Sequence, residues 1–102
     1  MIITRWQAPM VPEIEQIKMM FSAEGLEPFL ETISKDSGLP DHRHPFDEVR
    51  MVAKGELMLN IAGNKLLLRE GDRITIPSNT KHSISVGPHN NETTCVCANR
   101  IY

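Results

Sequence analysis

Neither sign of charge dominates this chain: 11 lysines and arginines are intermixed with 13 aspartates and glutamates, for a net charge of −2. So balanced a surface gives no electrostatic case for nucleic acid or an anionic membrane as partner. Long hydrophobic runs are also missing; the longest are far short of the ~20 apolar residues of a spanning helix. The opening Met-Ile-Ile-Thr-Arg-Trp has no charged region followed by an apolar stretch, so no signal peptide is visible and a cytoplasmic location is expected. Cysteine is scarce. Cys95 and Cys97 are the only two, which excludes a secreted disulfide framework. At i and i+2 of a β-prone segment they would bridge only with poor geometry, and no third soft ligand sits nearby. They read as two small semi-buried strand residues. Internal repeats and low-complexity linkers are absent as well.

What remains is an ordinary globular composition, 40 % hydrophobic and 24 % charged over 102 residues, the size of one domain. Ile2 to Trp6 is an apolar-rich stretch suited to an edge strand, ended by Pro9 and Pro12. Pro12 suits the first position of a helix and Gly25 its stop, with Glu13 and Glu15 favouring the first turn. Met10, Ile14, Ile17 and Phe21 form one apolar stripe, expected to pack on the rest of the fold. From Leu26 onward short strands alternate with turns. The strands are expected at 26–34, through His42 and His44, and at 48–53, 56–61, 65–69, 73–76, 82–86 and 93–101, with 35–41 a loop. Turns every eight to ten residues indicate a closed sandwich or barrel.

The chemistry is concentrated between Gly38 and Gly55, Gly-Leu-Pro-Asp-His-Arg-His-Pro-Phe-Asp-Glu-Val-Arg-Met-Val-Ala-Lys-Gly. On an extended strand, i and i+2 side chains share a face about 6.6 Å apart along the backbone. His42 and His44 can therefore converge on one ion, given His–metal bonds of about 2.1 Å. Glu48 shares their parity and can return to that face after the Pro45-Phe46 interruption. A fourth ligand, His82, is available at the end of Gly71-Asp-Arg-Ile-Thr-Ile-Pro-Ser-Asn-Thr-Lys-His82.

These two stretches read G-x3-H-x-H-x3-E-x6-G and G-x5-P-x-N-x2-H-x3-V, and they resemble the paired motifs of the cupin family. The match runs from Gly38 to Val86, about half of the chain. It departs from the family in a shorter spacer before His42, in Asn79 where glycine is usual, and in Val86 where asparagine is frequent. Asparagine tolerates the left-handed conformation better than most residues. The resemblance implies an all-β, cupin-type jelly-roll β-barrel with one short N-terminal helix, as a single cupin domain over 1–102: strand and helix at about 1–25, barrel at about 26–102. It also implies a divalent metal held by His42, His44, Glu48 and His82, and a homodimer. Mixed nitrogen and oxygen ligation admits Fe, Mn, Ni, Zn, Co or Cu alike.

Arg50 shares the parity of Glu48 and should point into the same cavity. There it would clamp an anionic substrate bidentately or pair with an internal acid, Glu31 or Glu56. The run Asp47-Glu-Val-Arg50 resembles the acireductone dioxygenase branch of the superfamily. Phe46, Met51, Met58, Leu59 and Ile84 are candidates for the cavity or core, and His89 lies in a loop expected to face solvent. Two functions stay open. One is an enzyme of dioxygenase or isomerase type acting on a small oxygenated or anionic metabolite; the other is a non-catalytic ligand-binding or metal-stapled module.

Overall fold

A computed structural model describes residues 2–101 of the chain. Most of its strands fall where alternation places them. The strands are β1 (Ile2–Thr4), β2 (Phe29–Ser34), β3 (Leu39–His42), β4 (Asp47–Lys54), β5 (Leu57–Ile61), β6 (Asn64–Leu68), β7 (Arg73–Ile76), β8 (His82–Val86) and β9 (Glu92–Arg100), with α1 at Ile14–Ala23. They form two antiparallel sheets, β1-β7-β4-β9-β2 and β3-β8-β5-β6. Face-to-face packing buries the apolar parity of each strand: Val52 of β4, Leu57, Leu59 and Ile61 of β5, Ile74 and Ile76 of β7, Ile84 of β8, and Cys95 and Cys97 of β9. This is the expected all-β jelly roll, and both cysteines are free and fully buried within it.

The other face of the five-stranded sheet is apolar too, and α1 covers it. Val49, Met51 and Ala53 of β4 and Val96 and Ala98 of β9 form a second core with Ile17, Phe21 and Leu26. Met51 therefore belongs to this outer layer, not to the barrel interior. The helix begins two residues later than Pro12 suggests: Glu13 is the N-cap, its N–H donating to Gln16 Oε1 at 2.8 Å. Met10 consequently precedes the helix and is exposed. The stop is as expected. Gly25 adopts φ +80°, and the Gly25 and Leu26 N–H groups donate to the Ser22 and Phe21 carbonyls, a paired closure that a left-handed glycine permits.

The N-terminal arm is strapped to the barrel by Asp72. Its Oδ1 accepts the Trp6 N–H at 2.9 Å; its Oδ2 accepts Arg5 Nη1 at 2.8 Å and the Arg69 N–H at 3.0 Å.

Two departures bear on the site. Residues 39–41, expected within a loop, join His42 in edge strand β3, which pairs with β8 through an irregularity between Leu39 and His42. His44, expected on the same strand as His42, lies between β3 and β4, just before the bend at 45–46. Pro45 explains this, since the residue before a proline is restricted and proline itself cannot donate to a ladder.

Candidate metal centre

One end of the barrel collects the first residues of β4 and β8 and the last of β3. Glu48, His82 and His42 are thereby held by ladders, and His42 is the direct ladder partner of His82. The loops beyond are tied to one another. Ser78 N–H donates to Asp47 Oδ1 at 2.8 Å, and Asn79 N–H to the His44 carbonyl at 2.6 Å. Asn79 adopts φ +59°, the left-handed conformation expected of it.

One ring nitrogen from each of His42, His44 and His82 lies within 4.8 Å of the other two. Ligands bonded to one ion at about 2.1 Å stand about 3 to 4 Å apart, so the cluster needs little contraction to bind. Ring orientation is set from behind. His42 Nδ1 meets the Pro40 carbonyl at 2.7 Å, and His82 Nδ1 meets the Thr80 carbonyl at 2.8 Å. A ring nitrogen facing a carbonyl must carry the proton, so in the neutral, ligating imidazole Nε2 of both rings is the bare lone pair. Those two Nε2 atoms and Glu48 Oε2 are buried without a hydrogen-bond partner. Three buried electron-pair donors left unmet at one place are costly unless a cation meets them. The donor set thus fits a divalent ion.

Glu48 flanks the cluster. Its Oε2 is 3.4 Å from His82 Nε2 and its Oε1 is 3.7 Å from His44 Nε2. Burial works against its charge, but His82 and Arg50 outweigh that and lower its pKa to about 2, so it is a carboxylate at neutral pH. The His82 imidazole is pushed down by burial, yet Glu48 and the Thr80 carbonyl shift it upward on balance. His44 goes the other way, its pKa lowered chiefly by burial, which favours the neutral, ligating form.

Arg50 lies one inward position deeper on β4 and is 1 % exposed. Nη2 donates to Glu48 Oε1 at 3.2 Å, and Nη1 is 2.7 Å from Glu31 Oε1. The Glu31 contact is an ion pair without a well-aimed N–H, because Nη1 and Glu31 Oε1 both lack a hydrogen-bond partner by direction. Of the two acids that sequence parity offered, Glu31 is the partner; Glu56 instead sits 3.2 Å from His89, which is largely exposed as expected. Phe46 stacks on the His44 ring, with centroids 4.8 Å apart and planes 12° from parallel. Sequence reading missed the carbonyls of Pro40 and Thr80. The signal was their equal offset, each two residues before its histidine.

A family model for the cupin domain matches residues 29–97. The chain belongs to the cupin family. Among curated proteins this cupin is 38 % identical over 61 residues to an acireductone dioxygenase of Alcanivorax borkumensis, covering 56 % of the chain and 34 % of that protein. It is 40 % identical over 62 residues to an acireductone dioxygenase of Hahella chejuensis, covering 57 % of the chain and 33 % of that protein. The match therefore spans about a third of the length of these relatives. Among solved structures, a cupin superfamily protein from Desulfitobacterium hafniense superposes with a TM-score of 0.66 at 11 % identity, covering 99 % of this chain and 77 % of that one. The last likeness is one of fold. No helix of the described residues is long and apolar enough to cross a membrane.

Proposed function

We propose that this cupin is a metal-dependent protein in which His42, His44, His82 and Glu48 hold one divalent ion and present it to a small oxygenated or anionic metabolite, with chemistry of the dioxygenase or isomerase type. The observation that carries this reading is the convergence of one ring nitrogen each from His42, His44 and His82 within 4.8 Å, with Nε2 of His42, Nε2 of His82 and Oε2 of the flanking Glu48 buried and without a hydrogen-bond partner. The matches to two acireductone dioxygenases support it for the region around the site. A bound ion supplies Lewis acidity, or oxygen activation if it is redox-active.

The residues have separable tasks. His42 and His82, backed by carbonyls, present lone pairs in fixed directions. Glu48 brings the negative charge that lowers three imidazoles and a divalent ion from +2 to a net of about +1. Arg50 fixes the orientation of Glu48 through Nη2. To grip a substrate anion directly, it would exchange Glu31 for the substrate. The Glu31 side chain is 33 % exposed, so it has somewhere to go.

A second reading, a non-catalytic module stapled by its ion, is favoured by the same Arg50. Two carboxylates already balance that guanidinium, and it makes almost no contact with solvent. Elemental analysis of anaerobically purified protein, alongside His82→Ala, tests the metal. About one ion per chain is expected in the wild type, and a folded β-protein without stoichiometric metal in the variant. Undiminished metal in His82→Ala removes His82 from the set. Calorimetric titration of hydroxy and keto acids onto metal-loaded wild type and Arg50→Lys then separates the readings. Binding that weakens when the bidentate fork is lost supports the enzyme, and no binding across the panel supports the staple.

A further inference from the structure

The three histidines are not held alike. His42 and His82 sit in the β3–β8 ladder as partners, and each ring has a backbone carbonyl behind it. His44 lies outside every strand. Among the described residues no protein atom accepts from its Nδ1, and its side chain is 29 % exposed against 1 % for His82. The offset that serves the other two fails here, because the residue two before His44 is His42 itself, already in the ladder. The His44 main chain is nonetheless fixed, its carbonyl accepting the Asn79 N–H at 2.6 Å. The ring itself has no carbonyl behind it: the His42 ring meets it edge-on at 4.6 Å and Glu48 Oε1 lies 3.7 Å from its Nε2, while its flat face rests on Phe46, nearly parallel at 4.8 Å.

We propose that Phe46 is a positioning residue for His44, and that His44 is the exchangeable ligand of the centre, the one that detaches to admit an ion or to give a chelating small molecule a second adjacent position. This rests on the metal-binding reading above. Histidine ligands are ordinarily fixed by a partner at the second ring nitrogen, and losing such outer support weakens metal binding by roughly ten- to a hundredfold. For His44 a stacked face replaces that partner. A stack constrains the ring plane but leaves the ring able to slide and tilt, whereas a hydrogen bond to a carbonyl fixes its direction. The ring that would move is also one that solvent already reaches, its side chain being 29 % exposed.

The test uses zinc-loaded wild type, Phe46→Leu and Phe46→Tyr, with release to excess chelator followed by stopped flow. Leucine keeps apolar bulk and loses the flat face; tyrosine keeps both. Phe46→Leu is expected to release zinc about tenfold faster at unchanged stoichiometry, and Phe46→Tyr at nearly the wild-type rate. Proton NMR of the wild type in water provides a readout that needs no variant. Two slowly exchanging ring N–H resonances are expected, from His42 and His82, with none from His44. A third protected resonance assigned to His44, or wild-type release from Phe46→Leu, overturns the proposal while leaving the metal centre standing. Wild type that takes up no zinc, cobalt or iron overturns both.

Discussion

Removing the buried guanidinium probes the electrostatics of the site most directly. Arg50→Met keeps roughly the length of the side chain and leaves Glu48 and Glu31 facing each other without a cation. Arg50 and Glu48 are both buried, their side chains 1 % and 8 % exposed, so little water is at hand to replace the lost charge. Breaking a buried pair from one side costs about 3–5 kcal/mol. Glu31 is partly solvated and can turn outward, which places the expected loss near the lower end, about 3 kcal/mol with the metal chelated away. With the ion present the sum changes. A divalent cation takes over the neutralisation of Glu48, and the repulsion between ion and guanidinium disappears with the guanidinium. The loss should fall to about half, and by linkage the difference of about 1.5 kcal/mol reappears as roughly tenfold tighter metal binding. Urea unfolding of wild type and Arg50→Met, in chelator and in saturating zinc, measures both losses. Glu31→Gln in the Arg50→Met background should recover part of the loss, because one of the stranded charges is gone. Equal losses with and without metal, or a loss below about 1 kcal/mol in chelator, would refute the view that Arg50 and the ion share the charge of Glu48.

Two further outcomes follow from packing and from the N-terminal strap. Asp72→Asn should cost about 2 kcal/mol at neutral pH, because an amide group would then face the Arg5 and Arg69 donors now met by Oδ2. Burial opposes the Asp72 charge, but the Arg69 and Trp6 N–H groups and Arg5 lower its pKa on balance. Its stabilisation is therefore fully present above the unfolded value near 4 and lost as pH falls through the lower folded value. The gap between wild type and variant in thermal unfolding should close along that descent, and a gap that persists in strong acid would assign the loss to packing instead. Phe21→Ala, at a fully buried position against the outer face of the sheet, should cost about 3–5 kcal/mol and leave the molecular mass in sedimentation unchanged. A folded variant of altered mass would mean that the stripe contacts a partner.

Strand period made most of the interior legible. Parity alone put Glu48 and Arg50 on the inward face, and β7 and β8 begin and end where their flanking turns suggest. The apolar stripe of α1 was legible from Ile14 through Phe21 because a 3.6-residue period repeats locally; Met10 fell outside because Pro12 and Glu13 start the helix after it. His44 was misplaced by extending the strand of His42 up to the residue before Pro45. The strap at Asp72 was not legible, since it joins residues about 66 apart in sequence and no local pattern encodes such a distance. Nor does any pattern of side chains reveal which backbone carbonyls will stand behind a ring. Of the site, then, the gathering of His42, His44 and His82 was readable, and the carbonyls that back two of the three rings were not.

The two cysteines carry a consequence in kinetics. Cys97 faces the interior beside its ladder partner Arg50, and Cys95 lies beside Val52, both with no solvent contact. Burial raises the pKa of each thiol, so neither is a nucleophile at neutral pH while the two sheets stay closed. A water-borne alkylating reagent can reach them only in molecules whose sheets have parted. The rate of alkylation, at its plateau in high reagent where every opening is trapped, thus reads as a clock on barrel opening, set into β9 at the depth of Arg50 and needing no introduced label.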